Sequence, residues 1–240
     1  MKFKPLLIAA AGLLALSAQA TTVTQWDFNG ATLAALAVPS TTLTSANASL
    51  VGGVSGTVAS GSGSTDTATT NNSLNTSTYA AQGAGDLTRG VRFDMSTVGF
   101  ENLVFSFDQR NSATAAVNTA LLYTLDSIAA TPVWLQATVF TMPSASSGSF
   151  LKGISFDFSS VAGVSNNANF AVELLATFAP STSSYAPTVS TSTYGAGGTI
   201  RYDMVTLSGT AISPVPEPET LSLLLAGLGC VGMVVRRRAA

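Results

Sequence analysis

The 240-residue sequence contains no histidine, and its one cysteine, Cys230, lies in the C-terminal segment. Without imidazole there is no Ser-His-Asp triad, no Cys-His pair and no histidine-based zinc site. With no cysteine between residues 21 and 213, no disulfide can form there, even in an oxidising compartment. Charge is sparse as well. Asp, Glu, Lys and Arg make up 9% of the chain, and residues 21–213 hold five basic and ten acidic residues, a net charge of −5 against −2 for the whole chain. That balance excludes a nucleic-acid partner, which needs a basic face. Solubility falls to Ser, Thr, Asn and Gly, a composition suited to a surface protein. No amphipathic helical period of useful length runs through residues 21–213.

What is present starts with two terminal signals. Residues 1–20 have a basic start at Lys2 and Lys4, an apolar stretch from Leu6 to Leu16, and Ala18-Gln19-Ala20 in the small-x-small pattern of a signal-peptidase site. Cleavage is expected after Ala20, with export from the cytoplasm. At the other end, Pro214, Pro216 and Pro218 hold the backbone extended, because each proline fixes its own φ and pushes the preceding residue out of the α region. The apolar run Leu221–Val235 follows, then Arg236-Arg237-Arg238. At ~1.5 Å per residue that run spans roughly 22 Å, short of the ~30 Å hydrocarbon core. The three arginines could snorkel to the interface and extend it.

Val215-Pro216-Glu217-Pro218, the leucine-rich helix over 221–235 and the basic stop at 236–238 resemble the PEP-CTERM sorting signal of exosortase substrates in Gram-negative bacteria. The resemblance covers 214–240 and implies a precursor held in the inner membrane by its C-terminal helix. A membrane-embedded exosortase would then recognise Pro216-Glu217-Pro218, cut nearby, and pass the protein to the cell surface or extracellular matrix. Glu217 would be the charged contact and the prolines its shape determinants. An ordinary tail anchor is the alternative, but it leaves the proline pair unexplained.

The body, residues 21–213, reads as one all-β unit. Val23–Gly30 predicts a first strand with Trp26 and Phe28 toward the core, closed by an Asn-Gly turn. From Ala31 to about Gln82 the pattern dissolves into Ser, Thr, Gly, Ala and Asn, and residues 52–77 are expected to form a long mobile loop, with too little apolar surface to offset the entropy of ordering it. From Gly90 onward the alternation is clear: Val91, Phe93 and Met95 form one apolar row, and Leu103, Phe105 and Phe107 another. Further strands are expected at 120–125, 133–140, 154–158, 170–178 and 200–207. About eight or nine such strands favour an antiparallel β-sandwich of jelly-roll type, because an open sheet would expose its edges.

The strands carrying Phe105-Ser106-Phe107-Asp108, Leu122-Tyr123-Thr124-Leu125-Asp126, Phe156-Asp157-Phe158 and Arg201-Tyr202-Asp203-Met204 resemble jelly-roll domains of secreted bacterial proteins related to carbohydrate-binding modules. That resemblance implies a structural Ca²⁺ held partly by Asp203 on the last strand and Asp27 on the first. The bland alternative is that both aspartates cap turns or face solvent. Sugar recognition would need exposed aromatic rings, for which Trp134, Tyr123, Tyr185, Tyr194 and Tyr202 are the candidates. Trp134 starts a strand after Pro132 and is as compatible with the core as with a ligand, whereas Tyr185 and Tyr194 fall in the Pro/Ser/Thr-rich stretch 180–198, where exposure is expected. The acids Asp94, Glu101, Asp108, Asp157 and Glu173 are expected to face solvent, with Asp108 and Arg110 pairing along one strand face. No catalytic pair emerges. The sequence therefore predicts a non-enzymatic, exosortase-sorted surface or matrix protein with a structural or adhesive body; the alternative is a carbohydrate-binding module fastened to exopolysaccharide.

Overall fold

A computed structural model describes residues 19–212 and 218–238. In chain order its elements are β1 (Ala20–Trp26), the one-turn helix α1 (Leu33–Leu36), β2 (Thr41–Thr42), β3 (Ala46–Val51), β4 (Ser55–Ser60), β5 (Asn72–Ser77), β6 (Gly90–Met95), β7 (Phe100–Asn111), β8 (Asn118–Thr124), β9 (Leu135–Thr141), β10 (Leu151–Asp157), β11 (Ala171–Thr177), β12 (Ile200–Ala211) and the helix α2 (Pro218–Arg238). The strands form two antiparallel sheets. One has seven strands, in the order β10-β7-β12-β1-β2 with β5 also bonded to β12 and β4 to β5; the other has five, in the order β3-β6-β11-β8-β9. This is the expected all-β jelly-roll sandwich, with twelve strands among the described residues where eight or nine were legible.

The period-two rows explain the packing. Val91, Phe93 and Met95 of β6, Val172 and Leu174 of β11, and Leu103, Phe105 and Phe107 of β7 are all buried in one core between the sheets. Trp26 and Phe93 meet edge-on with centroids 5.0 Å apart, joining β1 to the opposite sheet. Burying each such ring contributes about 1.5–3 kcal/mol, and the edge-on contact adds of order 1 kcal/mol. Strand β1 ends at Trp26, earlier than the alternation predicts. Phe28 still enters the core at 3% exposure, but through a left-handed turn at φ 53°, so Asn29-Gly30 closes no hairpin.

The expected mobile loop over 52–77 is instead a paired hairpin. Strands β4 and β5 are in register from Ser55↔Ser77 to Ser60↔Asn72, and β5 bonds β12 through Leu74↔Tyr202 and Thr76↔Ile200. Hydroxyl groups make this possible, because they can be buried once satisfied. Ser73 Oγ donates to Ala59 O, and Thr76 Oγ1 donates to Ile200 O at 2.7 Å. A low-apolar segment is thus ordered by side-chain hydrogen bonds to a pre-existing strand.

The apolar tail forms α2 over 21 residues, longer at both ends than the run 221–235 suggests. Arg236, Arg237 and Arg238 occupy its last turn, where cations favour the helix dipole. Among the described residues no helix is long and apolar enough to cross a membrane. Ala18 and the motif residues Val215, Pro216 and Glu217 lie outside the described residues, while Ala20 is the first residue of β1.

Candidate functional site

The outward face of the five-stranded sheet carries the first candidate site. Register places Ser49, Arg92, Glu173, Leu122 and Gln136 side by side on β3, β6, β11, β8 and β9. Trp134 immediately precedes β9, and the Arg92 guanidinium carbon lies 5.3 Å from its ring centroid. Since β11 and β8 lie between β6 and β9, the two long side chains meet across the strands that carry Glu173 and Leu122. Trp134 is half-buried against Ala120, Leu122 and Leu175, a small apolar cluster separate from the main core. The tryptophan therefore belongs to the outer surface.

Arg92 is held from its own strand. Its Nε and Nη2 donate to Asp94 Oδ1 at 3.1 and 2.7 Å, and Nη2 also donates to Ser127 O at 3.0 Å. This is the one ion pair among the described residues. Glu173, expected to face water, is only 7% exposed beneath this arrangement. Burial pushes its carboxyl up to about 7, with Arg92 pulling it down and Asp94 pushing it up. From Asp94 the face continues into an open cleft of ≈ 290 Å³ lined by Asn47, Ser127, Ile128 and Asn169. The exposed apolar residues Ile128 (76%) and Val133 (72%) flank the same β8–β9 connection. An aromatic platform with a cation, two carboxylates and amides around it can stack a sugar ring and hydrogen-bond its hydroxyls.

The second candidate site lies on the outward face of the seven-stranded sheet. Asp108 and Asp203 are cross-strand partners on β7 and β12, covered by the connection between β4 and β5. Asp108 does not pair with Arg110 as its spacing suggests. It is buried, and its Oδ2 accepts from Thr65 N (2.6 Å) and Thr65 Oγ1 (2.8 Å), its Oδ1 from Gly153 N (2.8 Å). Asp203 is fully buried at a bulge where Met204 takes φ 47°. Its Oδ1 accepts from Met204 N, but its Oδ2 has no partner, and neither has Asn71 Oδ1. Burial pushes the Asp203 carboxyl up to about 7; the nearby Ser64 hydroxyl and the Met204 N–H pull it down, and Asp66 and Asp108 push it up.

These orphan oxygens share one place. A Cβ on Gly61 would lie 1.8 Å from Asn71 Oδ1, 2.6 Å from Asn72 O and 2.6 Å from Asp203 Oδ2. Asn71 Oδ1, Asn72 O and Asp203 Oδ2 thus converge beside Gly61, hard oxygen donors of the type Ca²⁺ takes, although the 1.8 Å separation leaves no room for an ion at the Cβ point itself. Among the described residues no group of three or more carboxylate, histidine or cysteine side chains forms a metal cage, so a cation here would depend on amide and carbonyl oxygens as well. Asp27 is not among the residues acting on Asp203. Its Oδ1 accepts from Asn29 N, while Asn29 Nδ2 reaches Asp66.

Tyr185 and Tyr194 form no exposed platform. They are 2% and 9% exposed, stack on each other with centroids 4.6 Å apart, and donate to Gly85 O and Ala80 O. The stretch 180–198 folds back onto the body because the tyrosine rings give its polar residues an apolar anchor. Tyr202 is buried in the core, and Tyr123 packs edge-on against Phe158 with centroids 5.5 Å apart. Arg92, Glu173 and Asn71 are the candidate site residues that the sequence did not single out, since a charged or amide side chain in a strand or loop ordinarily signals a solvent face.

The fold and these surfaces define a two-sheet β-sandwich whose polar sites lie on its outward faces. The chain carries a PEP-CTERM protein-sorting motif over residues 214–238, the signal of an exported, exosortase-sorted protein. No curated protein matches it. Among solved structures, the CBM22-1 xylan-binding domain of Xyn10C from Paenibacillus barcinonensis is 11% identical with a TM-score of 0.49, covering 82% of this chain and 100% of that one. The CBM22-1–CBM22-2 tandem of the same protein is 17% identical at TM-score 0.49, over 85% of this chain and 53% of that one. A family 11 carbohydrate-binding module of the cellulosomal cellulase Lic26A-Cel5E from Clostridium thermocellum is 12% identical at TM-score 0.38, over 83% and 99%. Likenesses this distant assign no ligand.

Proposed function

We propose that the protein is displayed at the cell surface or in the extracellular matrix, where its non-enzymatic sandwich acts as an adhesive unit that fastens to exopolysaccharide. The observation that carries this reading is Trp134 on an outward sheet face, with Arg92 laid against it and Glu173 beneath. An indole ring covers the apolar face of a pyranose, and charged groups beside it bind the hydroxyls. Signal peptidase would remove residues 1–20, and the C-terminal helix would hold the precursor in the inner membrane until exosortase acts at Pro216-Glu217-Pro218. A Ca²⁺ held by Asp203 and Asn71 would supply positive charge to the Asp108–Asp203 pair and fix the β4–β5 connection.

The test is glycan binding by the full-length protein and by Trp134→Ala. Retention on matrix polysaccharide that falls at least tenfold in the variant, with the melting temperature little changed, supports the adhesive site. Equal retention by both proteins would remove it. The sorting step is read separately, by mass spectrometry of the C-terminus after Pro216, Glu217 and Pro218 are replaced by alanine. Unaltered loss of the arginine tail in that variant would place recognition elsewhere.

A further inference from the structure

The seven-stranded sheet carries a further feature, one row along from the aspartate pair. Arg110 and Arg201 are direct cross-strand partners on β7 and β12. Such partners have Cβ atoms about 4.5–5.5 Å apart, and like charges so placed are destabilising. Neither arginine has a carboxylate partner among the described residues, where the only ion pair is Arg92–Asp94. Arg201 is fixed from one side, Nε donating to Asn75 Oδ1 at 3.2 Å and Nη1 to Ser60 O at 3.1 Å, which leaves Nη2 open. Arg110 makes no hydrogen bond among the described residues, so its whole fork is available. The Asp108 carboxylate, which could have neutralised it, is taken up by Thr65 and Gly153.

Both arginines border an open cleft of ≈ 300 Å³, with Asn111, Ser147, Gly148 and Thr199 on its walls. Lys152 lies on β10, the next strand out, so three of the body's five basic residues fall on neighbouring strands of a domain whose net charge is negative. We propose that this cleft is an oxyanion site that takes the carboxylate or sulfate group of an acidic polysaccharide. Paired guanidinium forks match the geometry of such a group, and the anion relieves the repulsion between them. The hydroxyl and backbone groups on the walls suit the sugar hydroxyls around it. This site is on the opposite sheet from Trp134 and does not rest on the adhesive reading.

The experiment is calorimetric titration of the full-length protein, purified in detergent, with an oligogalacturonate and, in parallel, with inorganic sulfate. The expected result is oligogalacturonate binding that weakens as salt is raised, falls at least tenfold in Arg110→Gln, and is partly kept in Arg110→Lys. Absence of binding by the unaltered protein, or equal affinity in Arg110→Gln, would overturn the proposal. Sulfate binding lost in Arg110→Gln, without oligogalacturonate binding, would show a site for small free anions and overturn the polysaccharide source. Neutral-glycan binding is scored independently through Trp134→Ala, so failure of one reading leaves the other standing.

Discussion

Asp108 and Asp203 are direct partners across β7 and β12, yet Asp108 accepts three hydrogen bonds while Asp203 keeps one buried oxygen with none. Two carboxylates in one cross-strand pair repel, and burial leaves little water to screen them. The proton therefore moves onto the less satisfied member, unless a cation takes its place.

Stability should consequently depend on pH in a definite direction. Asp203 goes from 3.8 to about 7 on folding, and Glu173 from 4.5 to about 7. Between those limits the folded state binds more protons, so stability falls as pH rises from about 4 to about 7 and stays low above it. In chelator, thermal melts from pH 5 to pH 8 should show a decrease of several degrees, and Asp203→Asn should remove about half of it, leaving the share that belongs to Glu173. A melting temperature that rises over this interval would contradict the assignment.

Calcium should act on the same carboxylate in the opposite sense. At pH 8, where Asp203 is charged, millimolar Ca²⁺ is expected to raise the melting temperature, with the effect absent in Asp203→Asn and weakened in Asn71→Ala. Identical melts with Ca²⁺ and with chelator would leave proton uptake as the sole relief of the pair.

Gly61 should be intolerant of any side chain. A Cβ there would lie 2.6 Å from the backbone oxygen of Asn72, which cannot rotate away. Gly61→Ala is expected to cost roughly 1–3 kcal/mol through overpacking, seen as a lower denaturant midpoint. Gly197→Ala, where nothing lies within 4 Å of the added atom, is the control and should change little.

Tyr202 offers the reverse case. Its hydroxyl is buried without a hydrogen-bond partner, although Tyr79 beside it donates to or accepts from Thr76 Oγ1 at 2.6 Å. Removing an unsatisfied buried group while keeping the ring should leave stability equal or improve it by up to about 1 kcal/mol. A clear loss in Tyr202→Phe would reveal a hidden partner, such as a buried water.

The core was legible from period two because β6 and β7 send an alternating apolar row, Val91, Phe93 and Met95 and then Leu103, Phe105 and Phe107, into the core. The hairpin β4–β5 was not, because its order comes from hydroxyls such as Ser73 and Thr76 reaching carbonyls, and those partners are distant in sequence. Tyr185 and Tyr194 misled for a related reason. Their surroundings are polar, and only the fold reveals that the two rings stack and close the loop onto Gly85 and Ala80. Of the two candidate sites, Trp134 and Asp203 were visible as residues, but Arg92 and Glu173 required the register and Asn71 the folding of the β4–β5 connection. Alternation tells which face a side chain takes, but it does not tell what lies above that face.

The pairing of β1 with β12 brings Ala20 opposite Thr210, so the body begins and ends at one pole. β12 is bonded along its length to β7 on one edge and to β1 and β5 on the other. A pull on the C-terminal tail enters the body at Ala211, directly onto this most heavily laddered strand. Load directed along the strand would shear many hydrogen bonds at once, whereas load across it would open them one by one. An anchored molecule of this design should resist tension best when its cargo hauls away from that shared pole, and tear most readily when dragged sideways.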